Sequence, residues 1–202
     1  MKSFIIAAFF ISLAFAGVRV SPPNIKVNED EKPNLTVAKD LNLDSLVQAK
    51  TYYNILSKPD FLDRICHCTE ASYRWNPNRD KLIVTESCNI LASSGPSISQ
   101  ESELIAKDPN FKAKLTRADF GGFLHTSYNI LEAANDYSWV AVGDANLEHF
   151  WLLSTQPTLD QNMIKKVLNN QKNVNGFDFS DIIFTDQSCH QKIDFSEEKL
   201  EI

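Results

Sequence analysis

Four cysteines and four histidines carry most of the reactive chemistry in this 202-residue chain. Cys66, Cys68, Cys88 and Cys189 are an even set, which in a secreted chain favours two disulfides. A zinc site is the rival use of thiols, but Cys66-x-Cys68 is tighter than the usual two- to four-residue spacer and nothing else clusters beside it. No metal is expected. His67, His125, His149 and His190 are scattered, and no serine sits in a Gly-x-Ser-x-Gly elbow that would make it a nucleophile. The chain also holds aromatic and apolar residues at strand spacing, with one carboxylate, Glu86, among them. Such a surface either fills a core or lines a cavity.

These groups need elements to hold them, and alternation supplies the first. From Cys66 to Trp75, residues His67, Thr69, Ala71, Tyr73 and Trp75 share one face, while Cys66, Cys68, Glu70, Ser72 and Arg74 share the other. The aromatic face should look inward. The turn-rich Asn76-Pro-Asn-Arg-Asp80 leads to a second strand, Lys81 to about Asn89, so the two form a hairpin. Leu82, Val84 and Glu86 then face the same way as Tyr73 and Trp75. Further β-prone runs cover Thr51–Leu56, Gln100–Ala106, Phe111–Phe120, Tyr128–Ala133, Tyr137–Gly143 and Glu148–Ser154. Eight strands result, spaced for an antiparallel meander with no room for crossover helices.

After Pro157, Thr158 and Gln161 form a capping box that opens a helix. Met163, Ile164, Val167 and Leu168 fall on one side of it and Lys165, Lys166, Asn169 and Asn170 on the other, so one face packs on something large. Gly176 ends the helix. A brief extended run, Ile182–Phe184, precedes Cys189, and Leu43–Val47 is expected to form one short helical turn ahead of the first strand.

The ends of the chain set its compartment. Met1-Lys2-Ser3, the apolar run Phe4 to Phe15 and the small-x-small site Ala14-Phe15-Ala16 read as a secretory signal peptide, residues 1–16. The run is shorter than the ~20 apolar residues a membrane-spanning helix needs, and no later stretch reaches that length. Residues 17–40, with prolines at 22, 23 and 33 and an acidic patch, read as a flexible arm carrying the sequon Asn34-Leu35-Thr36 for N-glycosylation. Residues 41–192 form one barrel domain and 193–202 an acidic tail. The formal net charge is −6, and an acidic chain without a basic run is a poor nucleic-acid binder.

The segment Trp151-Leu-Leu-Ser-Thr-Gln-Pro-Thr-Leu159, the helix after it, Gly176-Phe-Asp-Phe-Ser-Asp181 and Thr185-Asp-Gln187 with Cys189 behind resemble the C-terminal third of the lipocalins. Within that family the likeness is to the branch of apolipoprotein D and the bacterial outer-membrane lipocalins. It implies an all-β fold: an eight-stranded up-and-down barrel around a ligand cavity, with the helix packed outside. Two family features are replaced. The first-strand Gly-x-Trp corresponds to Lys50-Thr51-Tyr52, and the arginine that usually covers that tryptophan corresponds to Thr155, so the floor is expected to be rebuilt around Tyr52.

The resemblance also pairs Cys68, five residues before Tyr73, with Cys189, leaving Cys66 and Cys88 as the second pair. Simple alternation puts Cys88 inward and Cys66 outward, so that pairing needs a bulge in the second strand, and the swapped pair Cys68–Cys88 stays open. Tyr73, Trp75, Leu82, Val84, Trp139 and Trp151 are the residues to line the cavity, with Glu86 beside them; Tyr73, Glu86 and Trp151 match inward positions of the apolipoprotein D-like proteins. The expected function is a secreted carrier of a small hydrophobic ligand, of the lipid, sterol, retinoid or pigment class, with no cofactor. Burying ~300 Å² of apolar ligand supplies roughly 7 kcal/mol before ordering costs, which points to micromolar-class binding. The alternatives are haem ligation by His67, His125 or another histidine, an isomerase using a free Cys88, or a filled barrel that binds protein.

Overall fold

The computed structural model describes residues 35–49, 51–59, 61–106, 112–119 and 122–190. The expected signal peptide, Asn34 of the sequon and the expected acidic tail lie outside them. Eight antiparallel strands follow one another: β1 Thr51–Lys58, β2 Cys66–Trp75, β3 Leu82–Ile90, β4 Ser97–Ala106, β5 Lys114–Asp119, β6 Leu124–Ala133, β7 Trp139–Gly143 and β8 Phe150–Ser154. Each pairs with the next, and β8 returns to β1 through Tyr53 opposite Ser154 and Asn54 opposite Leu153, so the sheet closes on itself. β1 pairs with β2 only over Thr51–Tyr53. Farther along, a two-residue strand β9, Ile183–Phe184, pairs with Ser57 and Leu56 instead and patches that seam.

Strand alternation sorts the apolar side chains into two layers. The inner layer fills the barrel with Tyr52, Tyr73, Leu82, Val84, Leu104 and Ile130, all buried. The outer layer lies on one flank, where Leu131, Trp139, Ala141, Phe150 and Leu152 meet Ile164 and Val167 of helix α2, Gln161–Asn175, and Phe177 just past its end. Gly143 permits that approach: a β-carbon there would stand 2.7 Å from the Phe177 ring.

Helix α2 starts one cap later than the sequence pattern implies. Asp160 is the N-cap, and its carboxylate accepts the Asn162 and Met163 N–H groups at 3.0 Å each, so the Thr158 capping box does not form. Gly176 closes the other end in the left-handed region, φ 82°. Residues 35–40, assigned by composition to a flexible arm, are packed instead. Leu35 is buried, Thr36 exchanges two hydrogen bonds with the Asn175 side chain, and the Ala38 N–H donates to the Ile130 carbonyl. Three satisfied backbone groups and a buried leucine outweigh the weak local propensity of this stretch.

One end of the barrel is closed. Helix α1, Leu43–Gln48, capped by Asn42, drives Leu46 into the inner layer. Tyr52 is fully buried at this floor, donates its hydroxyl to the Tyr137 carbonyl at 2.9 Å and meets Tyr73 edge to face. Tyr137 in turn accepts the Asn42 N–H on its own hydroxyl, 2.6 Å away. Thr155, at the position of the family's arginine, bonds back to the Ser138 carbonyl.

Candidate ligand cavity

At the opposite end the inner layer thins out and leaves a cavity of about 200 Å³. The strand geometry explains why it lies there. β2 is interrupted between His67 and Glu70, with Cys68 in the left-handed region at φ 56°, so its side-chain parity flips before it reaches the mouth. The flip turns Cys66 to Cys88 and Cys68 to Cys189, and both pairs are bonded. Smaller or polar residues then stand on the wall where bulky ones stand deeper: Ala71 follows Tyr73 on β2, Glu86 follows Val84 on β3, and Gln100 lies opposite Glu86 on β4. Leu62, Ile98, Tyr128, Trp151 and Leu153 supply the apolar wall.

The Trp151 ring lies nearly parallel to Tyr128, planes 19° apart and centroids 6.4 Å apart, and its indole N–H points at the Asp63 carboxylate. Around the outside of the opening, Phe61, Leu62, Leu91, Phe123 and Leu124 are exposed, on the loops and strand ends of this face.

Between the filled floor and the mouth runs a polar belt. Arg117 reaches from β5 to Glu86 of β3, Nη2 to Oε2 2.7 Å, while its Nε donates to Asp119 at 2.9 Å. Asp119 also accepts from the Ser102 hydroxyl and the Gln100 amide. Burial pushes the Asp119 carboxyl up, but the hydrogen bonds from Ser102, Arg117 and Gln100 outweigh it and hold the group below the usual carboxylate range. Burial likewise works against the charge on Arg117, and the two carboxylates overcome it. Below the belt the hydroxyls of Tyr73 and Tyr128 bond to each other at 2.6 Å. Burial raises both phenols well above their ordinary value.

Of the residues read from sequence as lining, Glu86 and Trp151 border the cavity. Tyr73, Leu82 and Val84 point inward but belong to the filled half, where they pack on Tyr52, Leu46 and Leu104. Trp75 sits at the floor rim, donating its indole N–H to Asp44 at 2.8 Å with the Arg79 guanidinium 5.3 Å from its ring centre. Trp139 is placed differently from the sequence reading. It faces outward under α2, because Val140 and Val142 take the inward positions of β7. Asn54, Arg117 and Tyr128 are cavity residues that the alternation reading did not single out. Arg117 was detectable: Leu115, Arg117 and Asp119 share one parity, so a charged pair on the inward face follows from the leucine.

Three histidines have neighbours outside the cavity, and the fourth, His125, is exposed on β6. His67 pairs with Asp186 and His190 with Glu70; His149 stacks beside Trp151, and among the described residues no histidine lines the cavity. All four cysteines are bonded, so the thiol-dependent isomerase reading loses its nucleophile.

A closed antiparallel barrel with a plugged floor, one open mouth, an internal cavity and a single helix on its flank is a calyx. The chain belongs to the lipocalin-like family, whose domain model, described as lipocalin-like domain, matches residues 49–187. Solved structures agree. Insecticyanin from the tobacco hornworm Manduca sexta is 21% identical over 76% of this chain and 85% of its own, with a TM-score of 0.57. Lobster apocrustacyanin A1 is 17% identical over 72% and 79%, TM-score 0.56. The cockroach allergen Per a 4 is 15% identical over 75% and 91%, TM-score 0.55. At these identities the likeness is one of fold. No curated protein matches the chain by sequence.

Proposed function

We propose that this chain is a secreted carrier that takes one small hydrophobic ligand into the mouth-end cavity. The observation that carries the reading is the cavity itself: a void walled by Leu62, Ile98, Tyr128, Trp151 and Leu153, in a barrel whose other half is fully packed. Close-packed interiors do not keep voids of this size without use or cost. A ligand tail longer than the cavity leaves through the mouth past the exposed Leu62 and Leu91. Two disulfides support an extracellular setting. Among the described residues no helix is long and apolar enough to cross a membrane.

Native mass spectrometry of protein purified from its own source tests the reading. A bound small-molecule mass, released on denaturation, is the expected result. A protein that arrives empty and takes up no apolar compound of six to ten carbons would end it.

A further inference from the structure

We infer that the segment from β9 to His190 is a strap across a gap in the barrel wall, latched by the Cys68–Cys189 bond, and that cleavage of this bond by a small dithiol widens the way into the cavity. The ligand whose exchange it would govern is the one proposed above.

The gap lies between β1 and β2. Their backbone pairing stops at Tyr53 opposite Glu70, although β1 runs on to Lys58 and β2 begins at Cys66. Past that point the strap takes the place of direct pairing. Ile183 and Phe184 pair with Ser57 and Leu56, the Thr185 N–H donates to the Ile55 carbonyl, and the Cys68 N–H donates to the Asp186 carbonyl. Buried Gln187 donates its side-chain amide to the carbonyls of Asn54 and Thr69, 2.9 and 3.0 Å away, so one side chain joins both edges. Asn54 and Thr69, on either side of the gap, both border the cavity, as do Leu62 and Asp63 from the loop joining the two strands.

Little besides the latch holds this gap shut. The side-chain oxygens of Asn54 and Gln187 are buried without partners, so opening returns two acceptors to water. The pairs His67–Asp186 and His190–Glu70 clasp the strap from outside, but they are partly exposed and such pairs contribute little. Cys189 is exposed, whereas Cys88 is buried and Cys66 half-buried on the cavity wall, so a soluble thiolate reaches the strap bond first. One thiolate of the dithiol attacks the Cys189 sulfur and releases Cys68. Its second thiolate then displaces Cys189, leaving a cyclic disulfide and two cysteine thiols that carry the dithiol's two protons.

Stopped-flow fluorescence with N-phenyl-1-naphthylamine, on the full chain and on Cys68→Ser with Cys189→Ser, reads exchange directly. Association and dissociation are each expected to rise roughly fivefold or more in the variant, with Kd moving less than about threefold because neither residue lines the cavity. Gln187→Ala, which keeps both disulfides, shifts the rates the same way and serves if the double variant does not fold. Brief dithiothreitol treatment of the native protein, then alkylation and mass mapping, is expected to label Cys68 and Cys189 ahead of Cys66 and Cys88. Rates unchanged in both variants, or earlier labelling of Cys66 and Cys88, overturns the strap and leaves the carrier reading intact. Absence of probe binding to the unaltered chain counts against the carrier reading instead, and amide hydrogen exchange over residues 66–70 then decides the strap: faster exchange in the variants supports it, unchanged exchange overturns it.

Discussion

The hydroxyl groups of Tyr73 and Tyr128 stand 2.6 Å apart inside the barrel, each the other's partner, at the level where the packed floor gives way to the polar belt. Removing one hydroxyl strands the other in a buried site, at a cost of about 1–3 kcal/mol, whereas removing both strands nothing. Urea unfolding of Tyr73→Phe, Tyr128→Phe and the double variant is expected to show two destabilised singles and a double well short of their sum. Additive losses would mean that the hydroxyls are not each other's partner in solution.

The same burial makes the protein sensitive to alkali. Tyr52, Tyr73 and Tyr128 are raised by burial above the ordinary phenol value. An acid whose folded pKa exceeds its unfolded one holds its proton in the native state while the unfolded chain lets it go, so its stabilising contribution is complete below about pH 10 and declines as pH rises beyond that. Tyrosinate absorbance is expected to show these phenols ionising together with loss of native circular dichroism. Free titration of every tyrosine in a folded protein would contradict their burial.

Much of the barrel was legible because alternation is a strong signal wherever one strand face is wet. β2 runs from Cys66 to Trp75 as the pattern indicates, and the eight-strand meander follows from run lengths and turns. Trp139 was not legible for the converse reason. All of Trp139–Gly143 is buried, between the inner layer and α2, so the pattern of apolar residues carries no parity. Asn54 was hidden by the irregularity between Asn54 and Leu56, beyond which β1 changes face. The starts of β4 and β6, Ser97 and Leu124, were missed because their first residues are exposed and polar or isolated, and only pairing to a neighbour makes them strands.

The two disulfides close loops of very different size. Cys68 and Cys189 are 121 residues apart, Cys66 and Cys88 only 22. In the chain-entropy account a loop of about 100 residues is worth ~5 kcal/mol and one of about 15 residues ~3. Guanidinium unfolding of paired Cys→Ser variants is therefore expected to show the larger loss, by about 1–2 kcal/mol, for Cys68 with Cys189. Proteolysis near β9 should rise in that variant alone, since the disulfide ties the end of the described chain to β2. An equal loss from both would set the entropic account aside.

Helix α2 offers a test of its cap. Asp160→Ala removes the acceptor for two N–H groups and is expected to cost about 1 kcal/mol, while Thr158→Ala, two residues earlier, costs little. Thermal melts of the two variants read the difference directly. A reversed order would place the helix start at the earlier cap.

The central claim is that the space beside Trp151 takes up a ligand. Trp75→Phe with Trp139→Phe leaves Trp151 as the sole indole, and titrating that variant with octanol reports on the cavity wall. Saturable change in its emission is predicted, abolished when Ala71→Leu fills the space from β2. Emission that drifts linearly with octanol, or that saturates equally well with Ala71→Leu in place, would contradict it.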